Sequence, residues 1–271
     1  MRELNIDEIR NIQLNILKKF TEICEKNQLR YYLDSGTLIG AIRHNGYIPW
    51  DDDIDICMPR CDYDIFMRKF GGRIDENIRI LSEKDNIYSY PKIIDERTII
   101  EEYPSTLKNE YSIYIDVFPK DGICSNLKKA KKQCASVKRL INMNWFLKYS
   151  VYRWNDMGKL WQRILAFIGR KFIRNKDVAL HALIKKSKKY SYDQSEYVAT
   201  IVAGGLANCV SKECFDSYIM VQFEKYQFRV PVGYDEYLRK LYGDYMVLPE
   251  EGKRVRHHNF KAYIKEDVEI I

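Results

Sequence analysis

The chain has 271 residues, 46% of them hydrophobic and 31% charged, with a net charge of +7; this composition is typical of a globular protein and excludes a disordered one. Its seven cysteines form no C-x-x-C pair, which favours reduced thiols over a zinc site or a disulfide framework. No stretch approaches the roughly 20 apolar residues that a membrane-spanning helix needs.

The N-terminal sequence MRELNIDEIRNIQ carries acids where a signal peptide has a basic start and an apolar run. We therefore expect a cytoplasmic protein. From Asp7 to Lys26 the pattern predicts an amphipathic helix that packs on the core, because apolar residues recur at intervals of three and four. These residues are Ile9, Ile12, Ile16, Phe20 and Ile23.

A phosphate-binding turn is predicted after the first short strand, Arg30 to Leu33. Residues 34–37 form a turn, and a helix is expected from Leu38 to Arg43. Glycine lets a ligand approach the backbone closely, and free N–H groups at the start of a helix favour phosphate. Gly36 and Thr37 are therefore candidate phosphate binders. Gly36 lies 17 residues before Asp53, close enough in sequence to form one site with it.

An acidic strand is predicted from Asp51 to Met58, ended by Pro59. Successive side chains of a strand point to opposite faces, so three carboxylates would share one face while two isoleucines face the core. The three acids are Asp51, Asp53 and Asp55. Neighbouring carboxylates repel each other unless a cation neutralises them, and hard oxygen ligands suit Mg²⁺. We therefore expect a Mg²⁺ site here, with Mn²⁺ as an alternative ion.

Further strands are predicted at Ile78–Leu81, Tyr90–Ile94, Thr98–Glu101 and Ser112–Phe118. The last of them contains Asp116 within a long apolar run, where an acid is costly unless it is paired or binds metal. Asp116 is thus the candidate for the next carboxylate of the site. An alternative is that it caps a neighbouring loop.

Residues 127–190 contain 18 Lys and Arg against two acids, a net charge of +16, whereas the rest of the chain carries −9. The segment is predicted to be helical, with an apolar stripe from Leu160 to Phe172 and tryptophans at 145, 154 and 161. Basic amphipathic helices with tryptophan are typical of membrane-surface elements. A helical cap with a solvated basic face is the alternative. Nothing else in the sequence supports nucleic-acid binding, and no nucleic-acid partner is expected.

After the basic segment we predict a strand at Tyr197–Ala203 and a helix near Asp235–Tyr242, stopped by Gly243. The whole order predicts an α+β fold, a mixed sheet flanked by helices, with a basic helical insertion. The expected division is a catalytic core at 1–126, the insertion at 127–190, and a C-terminal segment at 191–271 that completes the catalytic domain.

A glycine-led helix start, an Asp-x-Asp strand and a third acid on a later strand resemble the nucleotidyltransferase superfamily. Longer stretches resemble the LicD family in particular: YLDSGTLIGAIRH (32–44) and GYIPWDDDIDI (46–56). Later segments agree with it: KIID (92–95), YIDVFP (114–119), YGDYM (242–246), and then Leu248, Pro249, Arg254 and His257. The resemblance runs nearly end to end and is weakest at about 120–195.

The family includes bacterial phosphocholine transferases and is similar to fukutin and fukutin-related protein, which transfer ribitol phosphate. The resemblance therefore implies Mg²⁺-dependent transfer of a phospho-substituent from a CDP-linked donor to a glycan hydroxyl, with release of CMP. The acceptor would be a cell-surface polysaccharide, a teichoic acid or a lipid-linked glycan, handled at the inner face of the membrane. A choline cargo would need an aromatic box, but 21 tyrosines leave no single residue to nominate.

The resemblance implies roles for the candidate residues. Asp53 and Asp55 would hold Mg²⁺ with help from Asp51, and Asp116 would hold a second ion or accept the proton of the acceptor. Gly36 and Thr37 would offer N–H groups to the donor phosphates. Further candidates are Lys92 for charge on the leaving CMP, Arg43 for phosphate or the end of its helix, and His257 and Arg254 from the end motif.

Two other enzyme classes remain open on the residues alone. One is a nucleotidyltransferase that leaves a nucleoside monophosphate on its product. The other is a glycosyltransferase that uses Asp-x-Asp with a nucleotide sugar. Only the nucleotidyltransferase arrangement requires Asp116 to lie beside Asp53 and Asp55.

Overall fold

The computed structural model describes residues 1–86, 88–102, 112–152, 177–255 and 260–265. Within these ranges it contains six α-helices: α1 (Ile6–Lys26), α2 (Ser35–His44), α3 (Arg60–Phe70), α4 (Leu127–Tyr152), α5 (Val178–Ser187) and α6 (Tyr234–Tyr242). Within the same ranges, no helix has the length and apolar character that crossing a membrane requires.

Twelve strands occur in the described ranges: β1 (Arg2–Glu3), β2 (Tyr32–Leu33), β3 (Asp55–Pro59), β4 (Ile78–Leu81), β5 (Lys92–Asp95), β6 (Thr98–Glu102), β7 (Tyr114–Ile123), β8 (Tyr197–Ala199), β9 (Val210–Ser211), β10 (Tyr218–Phe223), β11 (Tyr226–Pro231) and β12 (Phe260–Ile264). Seven of them form one sheet in the order β2-β3-β7-β5-β4, with β8 added to β7 and β9 to β8. A second sheet has the order β1-β12-β6, and β10 and β11 form a hairpin.

The seven-stranded sheet is mixed, because β3 and β7 run parallel while its other pairs are antiparallel. Strand β7 is its centre and is buried along all ten residues. With helices packed around this sheet, the fold is α+β, as the sequence predicts.

Most predicted elements are confirmed to within a few residues. Helix α1 begins at Ile6 after an Asn5 capping box, in which Asn5 and Glu8 bond each other's backbone N–H groups. Its predicted packing face is buried, except that Ile23 is half-buried. The basic insertion is helical at α4 and α5, while residues 153–176, with Trp154, Trp161 and the predicted apolar stripe, lie outside the described residues.

The predicted start of the acidic strand at Asp51 is wrong. It begins only at Asp55, and residues 51–54 precede it without regular structure. A turn ends at Asp51, whose N–H donates to the carbonyl of Ile48 at 2.9 Å, and this turn prevents a strand from starting there. Strand alternation therefore does not place Asp51 and Asp53, although it does apply to Asp55 and Ile56.

Candidate functional site

The site begins at the start of helix α2. Asp34 caps this helix, since its carboxylate accepts from the N–H of Ser35 at 2.9 Å, and the helix starts three residues earlier than the sequence predicts. Gly36 follows, and a Cβ at this position would lie 2.7 Å from Oδ2 of Asp51. The absence of a side chain at Gly36 thus lets a carboxylate approach the helix start.

Residues 51–53, here called the acidic loop, bring three carboxylates together. One oxygen from each of Asp51, Asp52 and Asp53 lies within 4.8 Å of the others. Asp51 and Asp52 are buried and Asp53 is half-buried. Alternation along a strand would have turned Asp52 away, so sequence reasoning missed its place in this group.

Two side chains of α1 hold the acidic loop in position. Arg10 donates through Nη2 to the carbonyls of Ile48 (3.2 Å), Pro49 (3.1 Å) and Asp51 (2.8 Å). Gln13 donates through Nε2 to the carbonyl of Asp52 at 2.9 Å. Both side chains donate to backbone carbonyls of this segment, so these contacts fix the position of the loop backbone.

Asp55 and Asp116 are directly opposite each other on the parallel strands β3 and β7. The backbone N–H of Asp55 donates to the hydroxyl of Thr37 at 2.8 Å, which ties this strand to α2. On the other side of β7, Lys92 of β5 is opposite Asp116 and donates to its Oδ1 at 2.6 Å. The structure therefore brings the predicted third acid beside Asp55, in the arrangement expected of the nucleotidyltransferase superfamily.

Lys92 is buried and is surrounded by rings. Its Nζ lies 3.4 Å from the centroid of Tyr114, 4.6 Å from that of Tyr88 and 5.7 Å from that of Tyr90. Such contacts hold a cation in place. Lys92 faces Asp116 in this arrangement, and its predicted contact with donor phosphate stays a prediction.

Burial and neighbouring charges raise the pKa of two carboxylates of the site. Burial, together with the charges of Asp53 and Asp52, raises the pKa of Asp51 to about 7. Burial, together with the charges of Asp53 and Asp116, also raises the pKa of Asp55 well above its usual value. Both shifts express the cost of collecting negative charges in a place with little water.

A cleft of about 870 Å³ opens over these groups. Thr37, Lys92 and Asp116 are not among its lining residues. Its charged and polar lining is formed by Ser35, Gly36, Arg43, Asp51, Asp53, Asp55, Asp244 and Lys253. The opposite wall comes from residues 242–253 of the C-terminal segment, and apolar and aromatic side chains from both walls complete the lining: Ile39, Ile48, Trp50, Tyr242, Tyr245, Val247, Leu248 and Pro249. The cleft can thus hold a ligand that combines phosphate with less polar groups.

Arg43 joins the two walls of the cleft. It lies in the last turn of α2, and its Nη1 donates to the carbonyl of Tyr245. Arg254 lies beside the cleft: its guanidinium carbon is 5.6 Å from the ring centroid of Trp50, and its Nε donates to the carbonyl of Pro249 at 2.8 Å. His257 lies outside the described residues.

A buried polar network holds Asp34, the residue that caps the start of α2. The Nζ of Lys120 lies 3.3 Å from Oδ2 of Asp34, 3.0 Å from the hydroxyl of Thr200 and 2.9 Å from that of Tyr237. The Tyr237 hydroxyl donates to Oδ1 of Asp34 at 2.6 Å. Sequence reasoning missed this network. The one signal was a lysine directly after the apolar run of β7.

A sequence model described as LicD/FKTN/FKRP, nucleotidyltransferase domain, matches residues 28–133, which include α2, the acidic loop, β3 and β7. Over 97% of its length, the chain is 33% identical to the lipopolysaccharide cholinephosphotransferase LicD of Haemophilus influenzae, and the match covers 100% of that protein. The chain belongs to the LicD family.

Two other relatives of this LicD-family chain match it over shorter stretches. An uncharacterised protein of Rickettsia typhi is 32% identical over 126 residues, 42% of the chain and 41% of that protein. An uncharacterised protein of Rickettsia prowazekii is 51% identical over 41 residues, 15% of each chain. The family model and the Haemophilus influenzae relative confirm the LicD resemblance that the sequence predicts.

The donor groups of the site fit a hard divalent cation. All are carboxylates, and Lys92 pairs with only one of the four predicted ligands, Asp116. Asp51, Asp53 and Asp55 line the cleft together with the cations Arg43 and Lys253. Burial and the neighbouring carboxylates raise the pKa of Asp51 and Asp55, and a cation bound there would offset this cost. Oxygen ligands of this kind suit Mg²⁺ or Mn²⁺.

Proposed function

We propose that this LicD-family protein is a phosphotransferase that moves phosphocholine from CDP-choline to a hydroxyl group of a cell-surface glycan and releases CMP. The observation that carries the proposal is the pairing of Asp55 with Asp116 on adjacent strands, next to the acidic loop and the start of α2. The printed name of the Haemophilus influenzae relative, a lipopolysaccharide cholinephosphotransferase, supports the choice of cargo and acceptor.

In this proposal the acceptor oxygen attacks the phosphorus that carries choline. The bond from that phosphorus to the bridging oxygen breaks, CMP leaves with the bridging oxygen, and a carboxylate of the site takes the hydroxyl proton. A bound Mg²⁺ would supply charge neutralisation for the diphosphate. Asp51, Asp53, Asp55 and Asp116 would hold the ion.

The remaining residues would orient the donor. The N–H groups at the start of α2, at Gly36 and Thr37, favour phosphate oxygens. Arg43 lines the same cleft and offers a cation to the donor phosphates. Thr37 also fixes Asp55 through the backbone bond described above, so that carboxylate and phosphate are held in register.

The cargo's quaternary ammonium would meet the aromatic side of the cleft. Trp50, Tyr242 and Tyr245 line it, and aromatic faces attract such cations. Ribitol or glycerol phosphate would gain nothing from this contact. The acceptor is proposed to be a lipopolysaccharide or, in a different envelope, a teichoic acid or lipid-linked glycan, modified on the cytoplasmic side of the membrane.

The test is a product assay with the full chain, Mg²⁺, a glycan acceptor and one nucleotide at a time: CDP-choline, CDP-ribitol, CDP-glycerol, CTP or ATP. We expect CMP only with CDP-choline, in step with choline on the glycan. The Asp55→Asn variant should lose at least about 100-fold in rate while keeping its circular dichroism spectrum. Release of pyrophosphate from CTP or ATP would instead assign a nucleotidyltransferase, and CMP from CDP-ribitol would overturn the choice of cargo.

A further inference from the structure

The surface formed by helices α4 and α5 carries cations that the proposed reaction does not use. The side chain of Gln133, in α4, donates to the backbone carbonyls of Lys186 (3.5 Å) and Ser187 (3.3 Å), at the end of α5. This contact places the first turns of α4 beside the last turn of α5. Eight lysines are exposed there and are called the lysine cluster: Lys128, Lys129, Lys131, Lys132, Lys185, Lys186, Lys188 and Lys189.

Little in the described part of the chain balances this charge. Lys188 pairs with Asp64 of α3 at 2.7 Å, and the described residues supply no acidic partner for the other seven. Helix α4 has no acid in its first turn, although the N-terminal end of a helix favours negative charge. Four of the lysines therefore stand where they oppose both the helix dipole and one another. An external anion would relieve this cost.

The lysine cluster lies far from the candidate active site. Strand β7 leads from Asp116 toward α4, and its seven residue steps from Asp116 to Ile123 span about 23 Å. Gln133 of α4 donates to the carbonyl of Gly122 at 3.4 Å, so the first turns of α4 lie at this distal end of β7. The cluster therefore cannot reach donor phosphates held by α2 and Asp55. Its ligand must be a separate one.

We infer that the lysine cluster docks the protein on the surface of an anionic phospholipid bilayer. Lysine predominates on this surface, and Arg139 is the one exposed arginine of the described parts of α4 and α5. Lysine is a strongly hydrated point charge, which suits a diffuse anionic surface, whereas arginine forks and stacked aromatic rings are typical of nucleic-acid sites. Each lysine near an anionic membrane raises partitioning about fivefold. Leu127, 61% exposed beside the cluster, adds an apolar side chain that can enter the interface.

Sedimentation of the full chain with sucrose-loaded vesicles tests the inference without donor or acceptor, so the result does not depend on the proposed function. Vesicles of phosphatidylcholine with about 30% phosphatidylglycerol should bind the protein at about 0.1 M NaCl. Binding should be lost at about 0.5 M NaCl, because salt screens the attraction. Pure phosphatidylcholine vesicles should not bind it.

Two matched variants localise the effect. Replacement of Lys128, Lys129, Lys131 and Lys132 by Gln should lower partitioning at least about 100-fold, since four contributions are removed. The control replaces four exposed lysines elsewhere by Gln: Lys26, Lys69, Lys84 and Lys240. Its net charge is the same, and its partitioning should change less than about threefold.

Three results would overturn the inference: no binding of the unaltered chain to anionic vesicles, equal binding to both kinds of vesicle, or equal loss in the two variants. A fourth is tighter binding of a single-stranded RNA than of anionic vesicles at equal phosphate concentration. That result would assign the lysine cluster to nucleic acid.

Discussion

The carboxylate of Asp51 has opposite effects on the stability of the fold and on the proposed binding of a cation. Its side chain is buried against Gly36 and shares the acidic loop with two further carboxylates. Burial, together with the charges of these neighbours, raises its pKa to about 7, so without a bound cation the folded protein holds a proton there that the unfolded chain releases at lower pH. The same negative charges that destabilise the empty site make it attractive to a cation.

A pH-dependent stability follows for Asp51. Its folded pKa is raised, so its contribution to stability is fully present below about pH 4 and is lost as the pH rises through about 7. In EDTA at about pH 8, the Asp51→Asn variant should therefore exceed the unaltered protein in free energy of unfolding by on the order of 3 kcal/mol. Near pH 4 the two should agree.

Urea unfolding at both pH values measures this difference. Unfolding is also measured with excess Mg²⁺ at about pH 8. The ion should raise the free energy of unfolding of the unaltered protein more than that of the variant. Equal stability of both proteins in EDTA at about pH 8 would mean that Asp51 is solvated and takes no part in the acidic group.

Lys92 and Asp116 form the other decisive contact at this scale. Their side chains are 3% and 7% exposed, so Lys92→Met leaves a buried carboxylate without its lysine. We expect a loss of about 3–5 kcal/mol in the free energy of unfolding. The double variant Lys92→Met, Asp116→Asn should lose clearly less than the sum of the single losses, because the uncompensated charge is gone.

Urea unfolding of the unaltered protein, the two single variants and the double variant measures these losses as a double-mutant cycle. If Lys92 served only the donor phosphates, Lys92→Met would keep its stability and raise the KM for the CDP-linked donor. Additive losses would likewise contradict the pairing.

At the level of elements, periodic patterns predicted what depends on local sequence. Helix α1 and strand β4 were predicted within one residue, because apolar spacing and capping residues lie within each segment. The start of β3 was predicted wrongly, because a turn and contacts from α1 decide where the acidic loop ends. Helix α3 was not anticipated, and no side chain caps its start.

The candidate site divides in the same way. Asp55 and Asp116 could be predicted as neighbours because each is an acid flanked by β-branched apolar residues, which stands out in a sequence; Asp53 was predicted as the first acid of Asp-x-Asp. The hydroxyl of Thr37 on Asp55 and the Lys120 network were missed, because each joins residues that only the folded chain brings together. Tyr237 and Asp34, for example, are 203 positions apart.

The Lys120 network joins helix α6 to the start of α2. It predicts which of two substitutions costs more stability. Lys120→Met should lower the free energy of unfolding by at least about 3 kcal/mol, because Asp34 stays buried without its cation. Tyr237→Phe keeps the ring and the lysine and removes one hydroxyl, so about 1–2 kcal/mol is expected.

Thermal unfolding followed by circular dichroism gives both values. Phe215→Leu is a useful packing control, since Phe215 contacts the same lysine and tyrosine through its ring alone. A Tyr237→Phe variant at least as unstable as Lys120→Met would contradict the assigned order.

On the scale of the whole molecule, the C-terminal third closes structures that the N-terminal half begins. Strand β12 lies between β1 and β6, and β8 extends the central sheet from β7. The hydroxyl of Tyr32 donates to the carbonyl of Phe215 at 2.7 Å, and residues 242–253 form one wall of the cleft. The sequence predicts a catalytic core at 1–126 that the segment 191–271 completes, and many contacts of the core do come from beyond residue 190.

A truncation experiment tests whether residues 1–126 can fold alone. The fragment would expose the edges of β1, β6 and β7, together with the apolar side of β2 that Phe215 covers. It also leaves Lys120 and Asp34 without Tyr237 and Thr200. We therefore expect no cooperative thermal transition and no shift with Mg²⁺ or CDP-choline, because unsatisfied strand edges and a buried ion pair oppose folding. The full chain, purified in parallel, should melt cooperatively and shift with both ligands. A fragment that melts sharply and binds the nucleotide would establish an autonomous domain, and the pairing of β12 and β8 would then be an addition to a complete core.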